Sequence, residues 1–342
     1  MGLPDFGIIG AMDICRRNFL GGLAGLAVAG TLRPVAAAER TASFTDELID
    51  NYLKLTKLKL DVGAKTPFRA LHASDTHLSM DDAGDLLKGD AAVLRLYEAR
   101  QPRFPKCVQS LAATIAYAKR EKMPLLHTGD LIDHFSEANL ACVKNAFAGA
   151  DCLVAFGNHD VYGHHTDLYT PKSREDAKAT CRRYEEVWPN PALVASRLIN
   201  GVNFVAFDNG GLERWLAPEI EEGLEKALSV DAPAVLMCHM PFYTPGLYES
   251  VRTRVAAKKK KPDWDFGRGL GSYMKFDEPV GASKPSEHLR RVGEIVRAHA
   301  KTNLKAILCG HLHAEFRDTF AGIPMLVADG NFDGKAYELE LV

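Results

Sequence analysis

Met123-Pro124-Leu125-Leu126-His127-Thr128-Gly129-Asp130-Leu131-Ile132-Asp133 decides the fold. Its first half, Met123 to His127, is a short apolar run that reads as a buried strand, and it stops at Thr128-Gly129-Asp130. The same order recurs along the chain. Phe68 to Ser74 reads as a strand and ends at Asp75-Thr76-His77; Cys152 to Phe156 ends at Gly157-Asn158-His159-Asp160. Ala234 to Cys238 ends at His239, and Lys305 to Cys309 at Gly310-His311-Leu312-His313. Helical periodicity fills the intervals, over Phe104 to Arg120, Glu137 to Phe147, Arg174 to Val187, Leu212 to Leu228 and Glu287 to Ala300. Alternating strands and helices argue an α/β fold. In such folds sites gather beyond the carboxyl ends of the strands. All five blocks lie there, so they form one site.

Around this frame the chain is less regular. Residues 43–60 read as an amphipathic helix with Phe44, Leu48, Tyr52 and Leu55 on one face, within a lead-in spanning 39–66. The domain proper runs from 67 to 342. Ser79 to about Asp90 reads as a polar loop, and Val161 to Asn200 as irregular around its one helix. Phe204 to Phe207, Ile323 to Ala328 and Ala336 to Val342 read as strands. Pro241 to Pro285 is rich in Gly, Pro, Lys and aromatics without clear periodicity, and is expected to be an insertion covering the cleft.

The 342 residues are 46% hydrophobic and 25% charged, ordinary for a globular chain. A formal net charge of -2 provides no global attraction for nucleic acid or an anionic membrane. Residues 1–38 read as a targeting segment. Arg16-Arg17-Asn18-Phe19-Leu20 precedes a mildly apolar, Gly- and Ala-rich stretch, and Arg33-Pro34-Val35-Ala36-Ala37-Ala38 offers a small-residue cleavage site. This pattern resembles a twin-arginine signal. It implies the corresponding export machinery as a partner and a periplasmic or secreted destination. The uncharged run is too short for a stable membrane span. Met12 is an alternative start, giving a shorter basic lead. The seven cysteines include no CxxC pair, which excludes a zinc-thiolate module, and Cys152, Cys238 and Cys309 read as buried free thiols.

Asp75 and His77 are two residues apart, as are His311 and His313. On an extended segment such pairs face one cavity. Glycines before Asp130, Asn158 and His311 permit a sharp departure from the strand. Oxygen and imidazole ligands together suit divalent metals of hard to borderline character. Two metals need a shared ligand, and Asp130, with two carboxylate oxygens, is the candidate. His72 and His127 read as core histidines. His134, His164 and His165 are open between a place near the site and the surface. Arg252 to Arg268 is cationic and follows His239 closely enough to reach the cleft, either as a substrate flap or as a solvated loop.

The order DxH, GDxxD, GNHD, a lone His and GHxH resembles the calcineurin-like metallophosphoesterase family. The resemblance covers Phe68 to about Val327, with every ligand position intact. It implies a four-layer αββα sandwich of two mainly mixed β-sheets flanked by helices. It further implies two divalent ions (Mn, Fe, Zn, Co or Ni), one on Asp75, His77, Asp130 and His313 and one on Asp130, Asn158, His239 and His311. His159 would be the catalytic acid, with Asp160 holding its ring and Asp133 bracing the loop. The activity implied is hydrolysis of a small phosphoester by metal-activated hydroxide. A phosphodiesterase is favoured because Val202 to Asp208 and the following helix resemble the cyclic-nucleotide and glycerophosphodiester branch. A phosphomonoesterase with the same site, or a non-catalytic metal-binding scaffold, are the alternatives. The absence of Tyr from Leu131 to Asn139 disfavours a purple-acid type, and the lack of a long carboxyl-terminal domain disfavours a two-domain nucleotidase.

Overall fold

The computed structural model describes residues 45–80, 98–161, 170–263 and 265–342. Residues 1–38, expected to be a targeting segment, and His164, His165 and Trp264 lie outside the described residues. Strands β1 (Lys54–Leu60), β2 (Phe68–Ala73), β3 (Leu125–His127) and β4 (Cys152–Val154) belong to a first sheet. Strands β5 (Val194–Ile199), β6 (Val202–Phe207), β7 (Ala234–Met237), β8 (Leu304–Cys309), β9 (Phe316–Phe320) and β10 (Ile323–Val327) form a second. Strand β11 (Lys335–Leu341) returns to the first. The first sheet has the order β1-β11-β2-β3-β4 and the second β5-β6-β7-β8-β10-β9. Both are mixed. In the first, only β11 and β2 pair antiparallel; in the second, the two edge strands β5 and β9 do. The parallel centres, β2-β3-β4 and β6-β7-β8, carry the metal-site blocks at their carboxyl ends.

The helices are α1 (residues 45–52), α2 (Cys107–Arg120), α3 (Glu137–Ala146), α4 (Arg174–Glu185), α5 (Glu213–Leu228), α6 (Pro245–Lys259) and α7 (Glu287–Ala300). Three apolar cores stack between four layers. Leu71, Leu125 and Val154 pack with Leu111, Leu140 and Tyr184 on the outer face of the first sheet. Leu236, Ile307 and Met325 pack with Leu224, Val251 and Val296 on the outer face of the second. Ala70, Leu126, Leu153, Phe204, Met237 and Leu308 meet between the sheets. This is the expected αββα arrangement. Strands buried on both faces read as continuous apolar runs, which is why they were legible.

Three expectations are corrected. The helix over 43–60 holds only for residues 45–52. Lys57-Leu58-Lys59-Leu60 alternates with a period of two and forms β1, whose pairing with β11 makes it part of the first sheet rather than a lead-in. The segment 241–285 is regular. Thr244 caps α6 by accepting from the Leu247 N–H, a 3-10 helix spans Gly267–Ser272, and Leu247, Val251, Phe266, Leu270 and Met274 join the outer core. Edge strands β5 and β9 went unread because their half-exposed residues lack a continuous apolar run.

The six described cysteines are free thiols. Cys238 and Cys309 sit side by side at the ends of β7 and β8, with their sulfurs 3.6 Å apart.

Candidate metal centre

Each block lies in the loop that leaves its strand, and the loops cross-brace one another. The Asp75 N–H donates to Gly129 O and the His77 N–H to Asp130 O, both at 2.9 Å. Asp75 (φ 56°), His77 (φ 52°), Asp130 (φ 50°), His311 (φ 73°) and His313 (φ 48°) are all left-handed. The paired ligands therefore converge because each has left the extended conformation, and not by strand alternation as expected. Such backbone costs about 1–3 kcal/mol per residue and is kept where the surroundings enforce it. Gly129 is left-handed too, at φ 92°, and a Cβ there would sit 2.7 Å from Gly157 N. Gly157 is needed for room instead, since a Cβ would lie 2.2 Å from Asp130 Oδ1.

The ligand atoms fall into overlapping triads: Asp75, His77 and His313; His77, Asp130 and His159; and Asp130, His239 and His311. Within each triad the ligand atoms lie within 4.8 Å of one another. His77 Nε2 is 2.9 Å from His313 Nε2, and His311 Nδ1 is 3.2 Å from His239 Nε2. Two nitrogens bound to one metal at about 2.0–2.1 Å are separated by about 3 Å. Asp75 Oδ1 lies 3.2 Å from His313 Nε2, while its Oδ2 accepts the His311 N–H. Asp130 Oδ1 is taken by the His159 N–H, and Oδ2 lies 3.1 Å from His239 Nε2 and 3.6 Å from His77 Nε2. One oxygen of Asp130, rather than both as expected, thus faces both clusters. The structure gathers Asp75, His77, Asp130, His239, His311 and His313, and brings His159 to their edge.

Donor chemistry sets the ring orientations. The His77 Nδ1–H donates to Asp133 Oδ1 at 2.9 Å, the His239 Nδ1–H to Thr128 O at 2.8 Å, and the His311 Nε2–H to Ser272 O at 2.9 Å. Each leaves the other ring nitrogen for the cluster, as metal-binding histidines are held. Ser272 closes the 3-10 helix of the 241–285 segment, so that segment touches the site at His311. Phe104 stacks on the His77 ring at 4.4 Å, and Phe332 packs against His313 at 5.0 Å.

The carboxylates beside His159 are arranged differently from the expectation. Asp160 accepts the Ile132 N–H at 3.0 Å and the Gly157 N–H at 2.7 Å, so it ties the loops of β3 and β4 together. The His159 Nδ1–H instead donates to Asp133 O at 2.9 Å, with Asp133 Oδ1 at 3.2 Å. Asp133 also holds His77 and forms a two-pronged pair with Arg100. Sequence reasoning missed Arg100, which lies outside every block, and nothing in its local sequence marks it. His134 is buried, not at the surface. His72 and His127 are core histidines, pushed down to about 3 by burial, with their Nε2 atoms against Thr128 and Thr76 hydroxyls.

Among the protein groups alone, buried carboxylates and imidazoles hold one another in their charged forms. Burial opposes the charge on Asp75, but the His313 and His77 imidazoles beside its Oδ1 hold it well below the usual carboxylate range. Asp130 and Asp133 are held below that range likewise, against burial, by His239 and by Arg100 respectively. Burial works against protonation of His77 and His239, yet Asp133 and Asp75 raise the first to about 10 and Asp130 the second to about 9. His311 is lowered to about 4 by burial and by His239. Asp160 is raised to about 7 by burial and the Asp130 charge.

Whether divalent cations fit can be judged from the polar atoms. Asp75 Oδ1 and Asn158 Oδ1 are buried and make no hydrogen bond. Orphaned buried oxygens are costly unless something else engages them. Together with imidazole nitrogens at contact distance, they are the donor set that divalent cations take.

The family profile of calcineurin-like phosphoesterases matches residues 68–315. The chain belongs to that family; its fold is that of a metallophosphoesterase-type dimetal phosphohydrolase, and its His and Asp clusters are candidate metal-binding groups. No curated protein sequence matches it. Among solved structures it is similar to a dimetal phosphatase from Danio rerio, at 13% identity and TM-score 0.39, covering 78% of this chain and 88% of that one. It is similar also to the phosphopantetheinyl hydrolase from Mycobacterium tuberculosis, at 9% identity and TM-score 0.38, covering 80% and 91%. A putative 5'-nucleotidase from Staphylococcus aureus matches at 13% identity and TM-score 0.39, covering 78% of this chain and 49% of that one. At such identities and scores these likenesses decide nothing about activity. Among the described residues no helix is long and apolar enough to cross a membrane.

Proposed function

We propose that this chain is an exported dinuclear metal phosphohydrolase of phosphodiesterase character, acting on a small phosphoester. One observation carries the reading: Asp130 Oδ2 is common to two imidazole clusters, beside buried Asp75 and Asn158 oxygens that make no hydrogen bond. We assign one divalent ion to Asp75, His77, Asp130 and His313, and a second to Asp130, Asn158, His239 and His311. When bound, two such ions supply an activated water nucleophile and neutralise the phosphoryl oxygens.

The remaining work falls to the protein. His159 stands outside both assigned sets, with its side chain 15% exposed and Nε2 3.9 Å from Asp130 Oδ2. Because Nδ1–H is engaged by Asp133 O, Nε2 is the nitrogen offered to substrate. It donates a proton to the departing oxygen. Asp133 Oδ1, 3.2 Å from Nδ1, helps fix the orientation of the ring. Asp160 keeps the Asn158-His159 loop in place through Gly157 and Ile132. Phe104 stacks on the buried His77 ring and shields it from water, while Phe332 packs edge-on against His313, whose ring stays exposed.

The leaning to diesters rests on the strand Val202–Phe207 and helix α5 that precede His239. Export by the twin-arginine route to the periplasm rests on Arg16-Arg17 and the Arg33–Ala38 cleavage pattern. A folded, metal-loaded chain suits that route. The test is turnover by the mature chain supplied with Mn, Fe, Zn, Co or Ni. Bis-p-nitrophenyl phosphate is expected to be cleaved faster than p-nitrophenyl phosphate. The reverse order would make it a monoesterase, and no metal-dependent turnover of either would contradict the reading.

A further inference from the structure

The segment 241–285 meets the metal centre at two points. Ser272 O accepts the His311 Nε2–H at 2.9 Å. The Arg254 Nη2–H, from helix α6, donates to Leu312 O at 3.4 Å. Leu312 lies between the two ligand histidines His311 and His313, so the guanidinium rests on the backbone of the metal loop itself. Arg254 is exposed. Among the described residues it has no carboxylate within 4 Å, whereas Arg252 on the same helix is paired with Glu249 at 2.6 Å. A guanidinium has five N–H donors in a planar fork. The long contact to Leu312 O engages one of its nitrogens and leaves the fork open. Lys258 follows one helical turn later and is exposed, without a carboxylate partner among the described residues. Residues four apart on a helix share a face, about 6 Å apart along the axis.

We infer that Arg254, supported by Lys258, is a specificity residue of the proposed phosphohydrolase: it takes a second anionic group, carboxylate or phosphate, on the part of the substrate that does not react. The inference rests on the functional reading above and adds the substrate class. A planar fork suits a carboxylate or phosphate better than an ammonium does. Its place on the metal loop puts the second anion beside the phosphoester bound at the metals. The neighbouring paired Arg252 shows that helix α6 is not uniformly cationic, and that its unpaired charge begins at the residue on that loop.

The probes are glycerol 3-phosphate and 3-phosphoglycerate, which differ by a carboxylate in place of an alcohol. Each competes against bis-p-nitrophenyl phosphate hydrolysis by the metal-loaded chain. The wild type is expected to bind 3-phosphoglycerate about tenfold more tightly than glycerol 3-phosphate, the ratio one charge-assisted contact supplies. Arg254→Ala removes most of that ratio, Arg254→Lys restores part of it, and Arg252→Ala leaves it as in the wild type. Equal competition by the two probes in the wild type, or a ratio untouched by Arg254→Ala, overturns the inference while hydrolysis continues. Absence of metal-dependent hydrolysis by the wild type instead contradicts the functional reading on which it rests; the two probes then go to equilibrium dialysis with the metal-loaded chain, where the same ratio and its loss in Arg254→Ala decide the subsite.

Discussion

The His159 ring meets Asp133, and not Asp160. Replacing His159 by Ala removes the proposed proton donor but no assigned metal ligand. Turnover is expected to fall by about 10²–10⁴, with metal content remaining near two per chain by elemental analysis; loss of one metal would show His159 to be a ligand, as its place in a triad with His77 and Asp130 permits. Asp133→Asn is expected to act on both His77 and His159, because one carboxylate faces both rings. Metal affinity should drop about 10–100-fold, as it does when a residue orienting a ligand is lost, and turnover should fall further than metal reloading can restore. Unchanged metal affinity would contradict the role. The clustering of these imidazoles and carboxylates was legible because each block directly follows an apolar strand run. The partners behind them were not. Asp133 and Asp160 are equally plausible by spacing, and only the crossing of the β3 and β4 loops decides which carboxylate meets the His159 ring.

At the scale of elements, the clearest lesson comes from residues 43–60. Phe44, Leu48, Tyr52 and Leu55 carry helical spacing, but Lys57-Leu58-Lys59-Leu60 alternates, and parallel pairing with β11 overrides the helical pattern from Lys54 onward. A chain beginning at residue 67 would lack β1 and leave β11 as an unpaired edge. Exposed edges invite association, so that truncation is expected to lower the melting temperature and to aggregate in size-exclusion chromatography, while a chain beginning at residue 45 stays monodisperse to the same degree as one beginning at residue 39. Equal melting of both would contradict the place of β1 in the sheet. The parallel centres of both sheets were readable as apolar runs. Helix α6 was not, because Gly246, Thr253 and the lysines dilute its pattern, and only Leu247, Val251 and Ala256 of its residues are buried.

For the molecule as a whole, the proposed metals would compete with protons for the same histidines. His77 and His239 are raised to about 10 and about 9. A histidine raised above its unfolded value of about 6.5 stabilises the fold fully below that value, and the contribution is lost as pH rises through the folded value. The metal-stripped chain is therefore expected to lose thermal stability between about pH 6.5 and 10. Metal requires neutral imidazole, so the melting temperature gained on adding Mn should grow across the same window, by an amount set by metal concentration over dissociation constant. A metal-induced gain that shrinks with rising pH would contradict this linkage. The four-layer plan serves the competition directly, since two sheets packed face to face bring strand ends from β2, β3 and β4 against those from β7 and β8, and no single sheet carries both halves of the site.

The central claim is that two metals share Asp130. Anomalous scattering from crystals of the Mn-loaded chain tests it most directly. The account predicts two peaks about 3.5–4 Å apart, with Asp130 Oδ2 between them, Asp75, His77 and His313 around one, and Asn158, His239 and His311 around the other. A single peak, or two peaks with Asp130 bound to only one, would contradict it.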